Sequence, residues 1–295
     1  MTKSPQDPSV APLKRRARWR RVRDALAVVT SSKIALVGLV LVGFWVLLAI
    51  FAPLVSPYGP LEQDRDAMNE GPSLRHFLGT DHLGRDLWAR VIYGARTILV
   101  LAPLSVLSAL LVGTILGLTG GYFGGWIDEV VMRILDAIMA FPPILLYLII
   151  IVALGPSAMN VVLAITITGA PGIARLVRSM ALDIRTREYI AAAELRGENP
   201  LYIMFVEILP NARGPIIVDA MLRVGYAVFA IGTLGFLGLG LPPPSPDWGS
   251  MVSTGRQYIF ISIWAVLWPS VAISSLVIGL NLFADGLREE SMKYQ

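Results

Sequence analysis

The sequence predicts an all-α membrane protein that crosses the bilayer about six times. Three observations carry this reading. Hydrophobic residues make up 55% of the 295 positions and charged residues only 16%, against about 25% in a soluble domain. Mean hydropathy is +0.65. Charge-free runs cover residues 34–61, 97–127, 137–174, 224–246 and 257–284, and roughly 20 apolar residues suffice for one helical crossing.

Residues 1–33 form a basic tail. The first 24 carry eight Lys and Arg against Asp7 and Asp24, a net +6. Placed just before a span, such a segment sets topology and touches anionic lipid; it is read that way and not as a nucleic-acid site. Residues 34–55 form the first transmembrane helix. It exceeds a signal-peptide core and is followed by Pro57-Tyr58-Gly59-Pro60 instead of a small-residue cleavage site, so it is expected to be retained. Residues 56–96 make a long loop of balanced charge. A core of residues 97–285 follows, with spans at about 97–119, 214–239 and 261–282, and two more within 137–174 divided by Gly155-Pro156-Ser157. Residues 286–295 form a C-terminal tail. With the first tail inside, eighteen Lys and Arg fall on the inner side and six outside, leaving Arg223 within the fifth span. Both termini and the 175–213 loop are thus expected in the cytoplasm, and the 56–96 loop outside it.

The 175–213 loop reads as helix–turn–helix. Residues 178–196 are rich in helix formers, and Gly197 suits the left-handed position that closes a helix. Asn199 reads as the N-cap and Pro200 as the first residue of a second helix, 201–209, ended by Pro210. The apolar face of that helix, Leu201, Phe205, Ile208 and Leu209, packs either on the chain's own span ends or on a cytoplasmic partner. Elsewhere, Asp81, Arg85 and Asp86 are close enough to pair on a helix. Asp136 is within reach of Arg133, and Asp219 of Arg223. Gly113, Gly117 and Gly121 repeat every four residues, spacing that lets helix backbones approach closely in lipid.

Several function classes are excluded. There is no cysteine, and the two histidines, His76 and His82, do not have HExxH spacing. No lysine follows a glycine, so the chain has no phosphate-binding P-loop of its own. No catalytic residue, metal site or cofactor is expected. A membrane hydrolase would need a His/Asp/Ser or metal-ligand cluster, and a proton-coupled secondary transporter an acidic relay along its spans; neither pattern is present.

Residues 188–211, EYIAAAELRGENPLYIMFVEILPN, resemble the EAA loop of ABC-importer permeases. Ala192, Ala193, Gly197, Leu209 and Pro210 fall on its pattern. Ala191 stands where the pattern has Glu, with Glu188 and Glu194 as the neighbouring carboxylates; the substitution removes one polar contact to the partner. Three further blocks resemble one subfamily, the dipeptide, oligopeptide and nickel importer permeases: LGTDHLGRDLWARVIYGARTILV at 78–100, with Gly79, Thr80, Asp81, Gly84, Arg85 and Asp86; FLGLGLPPPSPDWG at 236–249; and the GYFGGWID-to-AFP stretch at 121–142. The resemblance spans the chain from about residue 14 and points to the second, C-type, permease subunit.

It implies a type I importer permease fold, half of a translocation pore, in a bacterial inner membrane. It also implies a homologous B-type permease subunit, two ATP-binding subunits that hydrolyse the ATP, and an extracytoplasmic substrate-binding protein. The cargo would be di- or oligopeptides; a permease for nickel chelates or another small solute is the alternative within the family, and an ATP-independent secondary transporter the alternative outside it.

Overall fold

A computed structural model describes residues 32–293. Among these residues the architecture is helical, with two isolated bridges, Gln63 to Arg85 and Thr80 to Asp86. We number the helices α1 (Lys33–Ile50), α2 (Ala52–Val55), α3 (Leu87–Phe123), α4 (Gly125–Met139), α5 (Pro143–Leu154), α6 (Ala158–Arg185), α7 (Glu188–Leu195), α8 (Pro200–Phe236), α9 (Trp248–Gly255) and α10 (Trp264–Lys293). Five of them, α1, α3, α6, α8 and α10, are each long and apolar enough to cross a membrane; counting the bent pair α4–α5 as one span gives six. Of the basic tail, residues 1–31 lie outside the described residues.

The element boundaries differ from the sequence expectation in five places, the first four with a local cause. Helix α3 starts at Leu87 instead of near 97, because the Asp86 side chain accepts the Ala89 N–H and caps it there. The stretch expected to hold the third span turns through 88° between α4 and α5, where Pro142 and Pro143 supply no backbone donors. The first arm of the helix–turn–helix is interrupted after Arg185: the Thr186 hydroxyl donates to the Asp183 carbonyl and Arg187 is extended. Pro210, expected to end the second arm, instead lies inside the continuous helix α8. Residues Ile203–Ile208 wind as a π-helix, with Leu209 N–H reaching Met204 O, and this wider turn makes room for a ring that would clash in α-helical register. The tail expected at 286–295 continues α10 as far as Lys293.

Small residues bring the long helices together. A Cβ on Gly113, Gly117 or Gly121 would lie 2.7, 2.5 and 2.6 Å from atoms of α6, at Ala170, Ala174 and Ala181 respectively. These glycines therefore face α6 within the chain. Helix α1 lies along α10 by the same device: Gly279 would meet Leu41 at 2.8 Å and Gly286 would meet Ala35 at 2.5 Å. Two apolar cores result. One gathers Trp45, Leu87, Ile98, Leu234, Trp248 and Leu276; the other gathers Leu118, Ile173, Val177, Ile190, Ile203 and Ile208. We call the corresponding ends of the bundle the Asp81 end and the Gly197 end.

Candidate functional site

At the Asp81 end, residues 64–86 fold into a turn stack knit by buried polar groups. One carboxylate oxygen of Asp81 accepts the Leu83 and Arg85 N–H groups at 2.9 and 3.0 Å, and the other accepts Arg85 Nε at 2.7 Å. The second oxygen also lies 3.7 Å from Arg90 Nε. The Asp81–Arg85 pairing expected from the sequence is thus made, whereas Asp86 serves as the cap of α3 and accepts His76 Nδ1 at 2.9 Å. Thr80 is fully buried; its hydroxyl accepts the Glu70 N–H and donates to the Ala67 carbonyl. Gly84 is required by its geometry: its φ is +71° and a side chain would run into the Asp64 carbonyl.

Sequence reading missed the other half of this stack. His76 is buried between Asp86 and Asp64, with the Tyr58 ring 4.9 Å away. Asp247, 1% exposed, caps α9 through the Gly249 and Ser250 N–H groups, and Gly240 gives it room, since a Cβ there would lie 2.7 Å from its carboxylate. Burial pushes the Asp247 carboxyl above its ordinary value, against the pull of those N–H donors and the Arg90 charge. Trp248 is fully buried and donates from Nε1 to the Val91 carbonyl at 2.8 Å. The signals available were the place of Asp247 and Trp248 in the FLGLGLPPPSPDWG block and an aspartate stranded between the uncharged segments 224–246 and 248–255. Between the two halves lies a cavity of about 220 Å³ lined by Asp81, His82, Arg85, Arg90, Pro244 and Tyr258. His82 stacks on Tyr258 at 4.7 Å, and its pKa is lowered, first by burial.

The Gly197 end has the opposite character. Gly197 has φ +75° and its N–H bonds Glu194 O, while the Glu198 N–H bonds Ala193 O, the double bond of a Schellman closure. Asn199 accepts the Leu201 N–H at 2.9 Å and Pro200 starts α8. Ile190 and Ala193 are buried against Ile203, Met204 and Ile208. Glu188, Ala191, Ala192 and Glu194 are exposed; Glu194 accepts from the Tyr122 hydroxyl at 3.4 Å. The apolar face expected on the second arm is divided: Ile208 is buried and Leu209 and Pro210 lie on the continuing helix, but Leu201, Tyr202, Phe205 and Val206 are exposed. Leu195, 90% exposed, lies beside them in sequence at the end of α7.

Ion pairs tie α4 to α6 near this end. Arg178 grips Asp128 through two 2.5 Å contacts and Arg175 holds Asp136 at 2.5 Å. The Asp136–Arg133 pair expected from the sequence is not formed; Arg133 turns to Glu129 at 3.6 Å on the exposed face of α4. Within α8, Arg223 Nε donates to Asp219 at 2.5 Å, the pairing expected four residues apart.

Comparison with known proteins agrees with this architecture. Residues 109–289 match the family model described as binding-protein-dependent transport system inner membrane component. The chain belongs to this family. Residues 19–72 also match the N-terminal transmembrane domain of oligopeptide transport permease C. Among similar permeases, a dipeptide transport system permease of Alkalihalophilus pseudofirmus is 44% identical over 90% of this chain and 88% of its own. A di/tripeptide transport system permease of Pseudomonas aeruginosa is 41% identical over 88% and 87%. A glutathione transport system permease of Pectobacterium atrosepticum is 39% identical over 92% and 88%. The MetNI methionine ABC transporter in an inward-facing conformation shares the fold, with TM-score 0.54 at 23% identity over 70% of this permease and 96% of that chain. This permease is thus a multi-pass inner-membrane component with the type I importer fold, from a family of membrane permease subunits.

Proposed function

We propose that this permease forms half of the translocation pore of an ATP-driven peptide importer, paired with a homologous B-type permease. Two ATPase subunits hydrolyse the ATP. The relatives' names support the cargo class, from dipeptides to a tripeptide. The Gly197 end is cytoplasmic and is where one ATPase docks. The observation that carries this assignment is the apolar surface of Leu195, Leu201, Phe205 and Val206, exposed beside a turn that Gly197, Asn199 and Pro200 hold in shape. Glu188, Ala191, Ala192, Ala193 and Glu194 present the first arm to that partner, and Leu209 and Pro210 carry its movement into α8. The Asp81 end, with Gly79, Thr80, Gly84, Arg85 and Asp86, faces the extracytoplasmic binding protein. Both termini are cytoplasmic, in keeping with the charge asymmetry.

The test is uptake by the four-subunit complex with its binding protein in proteoliposomes. Labelled alanyl-alanine should accumulate only with ATP. Uptake of a nickel chelate but no peptide would reassign the cargo, and accumulation without ATP would remove the importer reading. Orientation has its own check, because the chain has no native cysteine: Ser73→Cys and Ser179→Cys should label from opposite faces of the membrane, and labelling of both from outside would overturn the topology.

A further inference from the structure

The Asp219–Arg223 pair belongs to α8, and Arg223 lies thirteen positions before Phe236, about 20 Å along the helix axis at 1.5 Å per residue. That depth is well inside the hydrocarbon layer for a helix that crosses it. The pair is not sealed in the bundle, since its side chains are 27% and 28% exposed. Asp219 accepts from Nε and from Nη2, and the Gly169 carbonyl accepts from Nη1 at 3.4 Å. A guanidinium carries five N–H donors, so part of its donor set has no protein acceptor among the described residues. Lipid cannot supply one.

The surroundings point the same way. Arg223, with Asp219 bonded behind it, borders a cavity of about 180 Å³ whose polar lining is Tyr147, Thr168, Gly169 and Tyr226 and whose remaining wall is apolar. Two tyrosines and the Arg223 guanidinium side chain therefore line one cavity, and Tyr226 is itself exposed. Backbone room is built in: a Cβ on Gly172 would lie 3.0 Å from the guanidinium. An arginine so placed is expensive unless water or a polar solute reaches it.

We infer that this cavity is a station on the translocation path, where Arg223 takes the terminal carboxylate and Asp219 the terminal ammonium of a zwitterionic peptide. The inference rests on the peptide-importer reading. A guanidinium forms charge-assisted, forked bonds to a carboxylate, and an aspartate accepts from an ammonium. Between passages the two close on each other, so the empty station carries no net charge and does not trap a lone ion. Tyr147, Thr168 and Tyr226 offer neutral hydrogen bonds to the peptide group between the two ends.

The experiment uses the assembled transporter in proteoliposomes, with ATP and binding protein, and two water-soluble methanethiosulfonates of opposite charge. Uptake of alanyl-alanine by the unaltered complex is measured first; its absence would remove the importer reading itself. Given uptake, Tyr226→Cys should react at least tenfold faster than Val40→Cys on the exposed face of α1, and alanyl-alanine in excess should slow that reaction severalfold. In the Tyr226→Cys background, Asp219→Asn should shift the rate ratio at least fivefold toward the anionic reagent, and Arg223→Gln equally toward the cationic one. These opposite shifts report charges that face an aqueous path; loss of the alanyl-alanine protection in both charge variants is what separates a peptide station from a purely structural ion pair. Each charge variant should lower alanyl-alanine uptake about tenfold at equal complex abundance. An unreactive Tyr226→Cys in a complex that still transports, or reagent ratios unmoved by both charge variants, would overturn the inference and leave the importer reading standing.

Discussion

The Asp81 end buries polar groups and the Gly197 end exposes apolar ones. In the first, His76, Thr80, Asp81, Asp86, Arg90 and Asp247 are all buried, each held by named partners. In the second, Leu195 is 90% and Leu201 60% exposed on helices that pack their other faces normally. Burying a polar group is tolerable only when its hydrogen bonds are replaced. Most at the first end are replaced within the cap, while His76 Nε2 and Arg90 Nε have only carboxylates at 3.6 and 3.7 Å, so the stability of this end is largely internal. Exposed leucines beside a rigid turn are surface waiting to be covered. The difference separates positions where substitution breaks the fold from positions where it breaks only association.

The largest expected effect is at the cap. Trp248→Ala removes a fully buried indole and its bond to the Val91 carbonyl and should cost about 3–5 kcal/mol, read as a collapse of the thermal unfolding midpoint in detergent. An unchanged midpoint would show that the Asp81 end is not the stable half. Next is Asp247. Its folded-state pKa is raised above the ordinary 3.8 by burial, so the folded state binds the proton more tightly than the unfolded state does. Stability is therefore lost as pH rises from about 3.8 through the raised value, and is flat above it. Asp247→Asn removes that charge and keeps one of the two cap acceptors, the one facing the Gly249 N–H or the one facing the Ser250 N–H. It should unfold at a higher temperature than the parent protein at pH 7, with the difference fading on acidification; a difference that grows on acidification would contradict the burial argument.

Smaller stability effects are expected at the other end, with larger functional ones. Gly197→Val forces a β-branched residue to φ +75°, at roughly 1–2 kcal/mol or somewhat more, although its Cβ would meet nothing within 4 Å. Membrane abundance should stay near normal while uptake and peptide-stimulated ATP hydrolysis are lost, with Gly197→Asn largely spared. Full transport by an abundant Gly197→Val protein would remove the coupling role of this turn. The smallest shift belongs to Leu195→Asp, within about 0.5 kcal/mol, yet the ATPase subunits should no longer co-purify; retained co-purification would place the docking surface elsewhere.

The sequence made the class of fold and the turn at Gly197 legible because both depend on local chemistry. Charge-free runs mark spans, and Gly197, Asn199 and Pro200 each satisfy a requirement set by immediate neighbours. Asp219–Arg223 was readable for the same reason, being four apart on one helix. The capped start of α3 at Asp86 was obscured because charged Arg90 and Arg96 sit inside a helix whose first turns pack on the cap instead of lipid. Pro210 misled because the π-helical turn before it removes the usual clash. His76 and the α4–α6 ion pairs depend on contacts between residues 10 to 50 positions apart, which no local pattern encodes; the Asp247 cap is itself local, and only its burial depends on distant residues.

The glycine seam between α1 and α10 has a consequence for how the chain is made. Helix α1 ends at Ile50, whereas the residues it fits, Gly279, Phe283 and Gly286, come more than two hundred positions later. At a synthesis rate of roughly 5–20 residues per second, the gap is on the order of 10–50 s. During that interval α1 sits in lipid with Gly38 facing no partner from α10. Assembly of the α1–α10 seam therefore waits for α10, and a chain truncated before residue 279 would leave α1 without the seam that holds it.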